Sequence, residues 1–458
     1  MVNLNNSSIN VVFKRIYSYG TQPAIFWKGC EISYAEFTEN IDKWVLTLAN
    51  DGVQCGSVCG VKGEYSPNTC ALIFALIKIG AILVPLTNEV SNEMNSYIEI
   101  SGIEILYCFD DKDNYVLNVF QQKNAPELVK KFRMLNRAGL IVFTSGSSGK
   151  PKGILHDCEM IFRKFEKPRQ SWRTILFLLM DHFGGFNTLL ATFANGGVGI
   201  CLENRSANEV AKTIFSSKAS LLPTTPTFLN MMIINQVQSL YDLNSVELIT
   251  YGTELMPEAT LQKCLEIFPS AKFKQTYGLS ELGVLRSNSK CKESLWVKVG
   301  GPGFEVKVID GILWVRSESN MFGYLNASNP FDAEGWMSTG DQVEMHNGFL
   351  RFLGRTSELI NVGGKKVYPI EVENVLMKVS NIKSVTVFGK PHPIMGQVVH
   401  ARISLFEYES QEQITERLRL YCNDHLAQYK IPMRFKIVNY DSHHNNRFKK
   451  IRQDSVDT

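Results

Sequence analysis

Charge of one sign is scarce in this chain. Its 48 lysines and arginines against 45 aspartates and glutamates leave a formal net charge of +3 over 458 residues. That imbalance is too small to imply a nucleic-acid or membrane partner. Long hydrophobic runs are missing as well. The most apolar segment, CALIFALIKIGAILVPL (70–86), is interrupted by Lys78, Gly80 and Pro85, so it reads as a buried helix followed by a strand and not as a membrane span. The amino-terminal MVNLNNSSIN is polar, which argues against a secretory leader. The ten cysteines are scattered, and the closest pair, Cys55 and Cys59, has no second pair at metal-site spacing. Reduced thiols in a cytoplasmic protein are therefore expected. No internal repeat or low-complexity tract is evident.

What is present is a long chain of ordinary globular texture. Its length predicts two or three units, and 44% hydrophobic against 20% charged residues provides for a sizeable core. Over the first two thirds, strand-like and helix-like segments alternate. Residues 32–51 carry helical spacing in Phe37, Ile41, Trp44, Val45 and Leu48; 58–63 reads as a strand and 68–80 as a helix leading into ILVPL. The same order recurs at 208–226, and SVELITYGTE (245–254) is a strand ending in a glycine turn. Such β–α alternation predicts an α/β fold with mainly parallel sheets flanked by helices. Ligand sites in such sheets lie at the carboxyl ends of strands. After about residue 300 the texture changes. Asp310-Gly311 marks a hairpin within 297–317, and IEVENVLMKV and QEQITERLRLYCNDHL predict helices of a smaller α+β unit. A boundary near Gly354-Arg355 divides the chain into 1–355 and a mobile 356–458.

The stretch GLIVFTSGSSGKPKGILHD (139–157) is the densest in chemistry. It is not a Walker A loop, which has four residues between its glycines and a hydroxyl after its lysine. Here Gly146 and Gly149 are separated by two residues, and Lys150 precedes Pro151. It still suits phosphate on physical grounds. Leu140 to Phe143 reads as a buried strand, and Thr144 to Gly149 as the loop leaving it. Glycines let successive N–H groups face an anion. Ser145, Ser147 and Ser148 add hydroxyl donors, and Lys150 and Lys152 add positive charge. A flexible surface loop has the same composition, so the stretch alone leaves both readings open.

Five more segments follow in order: YGTELMP (251–257), QTYGLSE (275–281), STGD (338–341), GRTSELINVGGKKVYPIEVE (354–373) and NRFKKIR (446–452). With FTSGSSGKPKG (143–153) they resemble the motif series of the adenylate-forming superfamily: acyl- and aryl-CoA ligases, peptide-synthetase adenylation domains and luciferases. The resemblance runs from about residue 20 to the end. It implies ATP-dependent activation of a carboxylic acid as an acyl-adenylate, followed by transfer to a thiol. It implies that 144–150 and Lys152 hold phosphates, and that Gly252, Thr253 and Glu254 belong to the adenine motif. Tyr277 would stack on adenine, with Gly278 bordering the acid. Ser280, standing where a threonine is usual, would donate to the α-phosphate, and Glu281 would carry magnesium. Asp341 would receive the ribose hydroxyls, and Arg355 would reach ribose or phosphate. Taken singly, Asp341 could be a turn residue, Tyr277 a core residue and Glu281 a helix-start acid.

The resemblance also assigns a C-terminal lysine that bridges carboxylate and α-phosphate. In NRFKKIR the lysine three before the arginine is Lys449, but Phe448 replaces the usual glycine, and Lys450 stays a rival beside it. Ser357 stands at the hinge in place of aspartate or lysine. In 177–197, His182 resembles the residue gating the acid pocket, and Asp181 precedes it without establishing an amino-acid site. VGGKKVYP (362–369) resembles the loop facing the incoming thiol, so Gly363 and Gly364 would line the thiol tunnel. Coenzyme A ranks first as acceptor, ahead of the phosphopantetheine of an acyl carrier protein. A non-catalytic nucleotide- or acyl-binding homologue is the alternative of another class.

Overall fold

The computed structural model describes residues 7–90, 93–120, 125–145, 151–445 and 447–452. Two seven-stranded sheets form the bulk of the chain. One runs, in spatial order, Lys272–Gln275, Leu248–Tyr251, Leu221–Thr224, Arg173–Ile175, Val198–Ile200, Pro23–Trp27 and Cys30–Ser33. Every pair in it is parallel except the last, a hairpin. The other is parallel at its centre, through Gly139–Ser145, Ile82–Leu86, Val58–Lys62 and Ile105–Phe109, and antiparallel at both edges. The segments expected as strands and helices fall where the spacing put them.

Local chemistry starts the main helices. Ser33 caps Tyr34–Asn50 in a reciprocal box with Glu36, and Ser66 caps Pro67–Lys78, which carries proline in its first turn. Pro67–Lys78 is buried at every position from Thr69 to Ile77, because it has core on every side. Its Phe74 meets Phe37 and Phe193 at ring distances of 5.7 and 5.5 Å. Those three rings tie Tyr34–Asn50, Pro67–Lys78 and Phe183–Ala194 into one core.

A six-stranded antiparallel sheet follows, including the expected Asp310-Gly311 hairpin between Phe304–Ile309 and Ile312–Ser317. Within it, Asp341 and Arg355 are cross-strand partners. Beyond the short 3₁₀ turn Thr356–Glu358, residues 360–435 build a core of their own around the helices Pro369–Leu376 and Gln411–His425 and a five-stranded sheet. Among the described residues, no helix is long and apolar enough to cross a membrane.

Candidate active site

One cavity of about 890 Å³ opens at the carboxyl ends of the parallel strands. Twelve of the residues singled out in the sequence line it: Thr144, Lys152, His182, Gly252, Thr253, Tyr277, Gly278, Ser280, Glu281, Arg355, Ser357 and Lys449. They come from six separate stretches of the chain. Thr144 and Ser145 end the strand Gly139–Ser145, so the strand extends two residues further than expected. Gly146, Ser147, Ser148, Gly149 and Lys150 lie outside the described residues.

The turn between Tyr277 and Glu281 is held from behind. Buried His156, on the strand Pro151–Asp157, donates from Nε2 to the Ser280 carbonyl at 2.7 Å. Burial brings His156 down to about 4, so it stays neutral. The Glu281 carboxylate accepts from the Tyr324 hydroxyl at 2.6 Å through Oε1. Glu281 lines the cavity, and among the described residues no lysine or arginine pairs with it and its second oxygen has no partner. Lys152 sits over the Tyr324 ring at 5.5 Å. The glycine at 252 is a matter of room: a Cβ there would lie 2.5 Å from Thr276 Oγ1.

Tyr277 stacks on Phe352 at 4.7 Å and donates its hydroxyl to Asp341 at 2.6 Å. Asp341 itself lies just behind the cavity wall, paired with Arg355 at 3.2 Å. Burial raises Asp341 above the usual carboxylate range, while Arg355 and Tyr277 pull the other way.

The C-terminal segment closes the cavity. Arg447 pairs with buried Asp181 at 2.9 Å and hydrogen-bonds His182 Nε2. Asp181 is thereby committed to a cation of this chain. Burial, together with Lys449 and Arg447, holds His182 well below its ordinary range, so its ring is neutral and accepts from Arg447. Phe448 occupies the left-handed region at φ 53°, the conformation its usual glycine would adopt freely and a phenylalanine adopts at a cost of about 1–2 kcal/mol. Rings of Phe177 and Phe228 at 5.4 and 5.3 Å, and the Thr225 hydroxyl donating to its carbonyl at 3.1 Å, hold it there. The next two side chains diverge. Lys449 lines the cavity, and burial lowers its pKa. Lys450 turns away to buried Glu373 at 2.9 Å and the Val385 carbonyl at 3.0 Å.

Besides Asp341, the expected residues Glu254, Gly363 and Gly364 fall outside the cavity lining. The Glu254 carboxylate accepts from the Thr227 hydroxyl at 2.6 Å and from the Lys450 backbone N–H, so local structure already engages it. Gly363 and Gly364 form a turn at φ 56° and 83° between Ile360–Val362 and Lys365–Val367, on the small unit's surface.

A family model described as AMP-binding enzyme matches residues 12–325, and its C-terminal domain model matches 371–447. The chain belongs to the AMP-binding enzyme family. A 2-succinylbenzoate–CoA ligase of Listeria monocytogenes is 26% identical over 455 residues, covering 94% of this chain and 95% of the relative. A long-chain-fatty-acid–CoA ligase of Mycobacterium tuberculosis is 25% identical, covering 88% of each. The fold is shared with an anthranilate CoA ligase bound to anthranoyl-AMP (TM-score 0.83, 19% identity, 97% and 95% covered). It is shared too with an o-succinylbenzoate CoA synthetase of Bacillus subtilis bound to its acyl-adenylate (TM-score 0.76, 22% identity, 98% of each covered).

Four residues of this AMP-binding enzyme's cavity region escaped sequence reasoning: His156, Tyr324, Arg447 and Thr225. His156 stands inside the quoted phosphate stretch, and Arg447 inside NRFKKIR, so both were in view as letters. Their contacts are 124 and 266 residues away and leave no trace in spacing.

Proposed function

We propose that this AMP-binding enzyme activates a small carboxylic acid with ATP as an acyl-adenylate, releases pyrophosphate, and passes the acyl group to the thiol of coenzyme A. The observation that carries this reading is the meeting of Lys449, from the C-terminal segment, with Thr144, Lys152, Tyr277 and Glu281 in one cavity. The first half-reaction joins two anions. The acid's carboxylate oxygen forms a bond to the α-phosphorus as the bond to the pyrophosphate oxygen breaks. The protein's part is to hold the reactants together and to offset the charge that develops.

Lys449 serves as the bridging cation between the carboxylate and the α-phosphate. Lys152 and Thr144 hold the departing phosphates, and Ser280 donates to the α-phosphate. Tyr277 offers its ring to adenine, Gly252 and Thr253 border the base, and the Asp341–Arg355 pair takes the ribose. His182, kept neutral, borders the acid without adding a second cation beside Lys449.

Magnesium fits Glu281: the ion is commonly held by one or two carboxylates together with substrate phosphates, and one Glu281 oxygen is uncommitted. When bound, it would neutralise phosphate charge. Glu281 would hold it from the protein side, with Tyr324 fixing the carboxylate's orientation.

In the second half-reaction the thiol sulfur bonds to the acyl carbon, AMP leaves and the thiol proton is lost. Lys449 fills the place the thiol must approach, and the Gly363-Gly364 turn stands away from it. Residues 1–355 and 356–458 therefore act as two bodies that swing about Ser357 between half-reactions. A cytoplasmic location fits the ten unpaired thiols. The test is ATP–pyrophosphate exchange over a panel of carboxylic acids, followed by thioester formation with coenzyme A. ATP binding with no acid-dependent exchange would reduce the protein to a nucleotide binder.

A further inference from the structure

The acid end of the cavity holds positive charge that nothing in the chain answers. Lys274 lines it from the strand Lys272–Gln275, in register with Thr250 and Pro223, which line the same wall. Its ammonium has no hydrogen-bond or ion-pair partner among the described residues. Arg169 lines the same cavity, with its backbone N–H on Asn195 at 2.7 Å and Nη2 on the Lys164 carbonyl at 3.3 Å. Lys164 stands behind the wall and donates to Asn187, which also lines the cavity. No carboxylate among the described residues pairs with Lys164, Arg169 or Lys274, and these cations repel one another. Burial and that repulsion bring Lys164 down to about 7. Lys274 is partly buried while Arg169 is exposed; an unanswered, partly buried cation is costly to a fold unless a ligand answers it.

Lys164 reaches back to Asn187 and the Phe183 ring near the start of the helix Phe183–Ala194, but Arg169 is anchored away from the place where ATP phosphates would lie. His182, Lys449 and Arg447 gather at the N-terminal end of the helix Phe183–Ala194, whereas Arg169 is bonded to Asn195 at its C-terminal end. Twelve residues of helix separate those ends by roughly 18 Å. Between them the cavity is walled by Phe165, Trp172, Phe177 and Ala191. Resting on the acid-activating reading above, we propose that the substrate is a dicarboxylic acid with an apolar body, whose second carboxylate is received by Lys274 and Arg169. The carboxylate to be activated lies by Lys449 and the other at the far end of the cavity.

The experiment compares matched acids, such as octanoate with suberate, in ATP–pyrophosphate exchange by the parent and by Lys274→Met and Arg169→Gln. The parent should prefer the diacid in kcat/KM, and each variant should lower the diacid-to-monoacid ratio at least tenfold, with the acid KM moving more than the ATP KM. A parent that prefers monoacids, or variants with an unchanged ratio, overturns the proposal. So does a rise confined to the KM for coenzyme A, which would give these cations to its phosphates. Calorimetric titration of the same acids into the protein without ATP separates this proposal from the activity. Diacid binding lost in Lys274→Met sustains the subsite even if no acid supports exchange; equal binding of both acid types refutes it.

Discussion

Lys449 and Lys450 are neighbours whose removal should have opposite consequences. The Lys450 ammonium is one of two cations on Glu373, a carboxylate with no exposed surface; the other is Arg452. Removing one partner of a buried ion pair costs about 3–5 kcal/mol. Arg452 remains, so Lys450→Ala should lose less, about 1–3 kcal/mol, seen as a drop of several degrees in Tm. Lys449 is different. Its ammonium has no hydrogen-bond partner among the described residues, and burial disfavours its charge. Lys449→Ala should therefore leave Tm unchanged or slightly raised. A charge acting in the transition state of transfer contributes on the order of 3–4 kcal/mol, so acid-dependent pyrophosphate exchange should fall by about 10²–10³-fold, with ATP binding retained. The assay is exchange and thermal unfolding of both variants, at a temperature where both are folded. An active Lys449→Ala beside a folded, inactive Lys450→Ala would refute the assignment.

Glu281→Gln keeps the shape and removes the charge; exchange should collapse, with little rescue by added magnesium, and near-parental exchange would move the metal site elsewhere. Ser357→Pro fixes φ near −65° at the pivot, and should preserve pyrophosphate exchange while abolishing thioester formation; a parental thioester rate would rule out the swing. Glu373 gives a pH prediction. Burial alone would raise it, but Arg452 and Lys450 prevail and hold it at about 2 against an ordinary 4.5. A depressed carboxylate stabilises above its unfolded pKa, and that contribution is lost as pH falls from 4.5 towards 2. The difference amounts to about 3 kcal/mol in all. The stability gap between the parent and Glu373→Gln should accordingly narrow by about 2 kcal/mol from pH 6 to pH 3, and a gap independent of pH would contradict this origin.

Much of the fold was legible because periodicity is local. The Tyr34–Asn50 helix announces itself in the apolar spacing of Phe37, Ile41, Trp44, Val45 and Leu48. The site was legible where motif residues sit on adjacent strands, as with Asp341 and Arg355. It was illegible where a side chain acts across the fold. Tyr324 reaches Glu281 because Gly323–Tyr324 adds to the edge of Pro151–Asp157, a pairing no pattern near residue 324 foretells. Glu254 shows the converse: the motif placed it at the nucleotide, while Thr227 and the Lys450 backbone already engage its carboxylate. Phe448 read as a broken glycine position, yet its backbone keeps the glycine's conformation.

On the proposed swing of the small unit, that left-handed phenylalanine has a kinetic corollary. A glycine before Lys449 would leave the terminal strap loose, and each closure would have to restrict it anew. Phe448 narrows the strap's choices in advance and anchors it on Phe177 and Phe228, so the lysine arrives with less entropy to lose. The same ring resists departure, since half-buried aromatic surface must be wetted before the domain can turn, at about 1–2 kcal/mol. On the proposed swing, Phe448 would tilt the equilibrium toward the closed, adenylating pose, and opening would become the step most exposed to temperature.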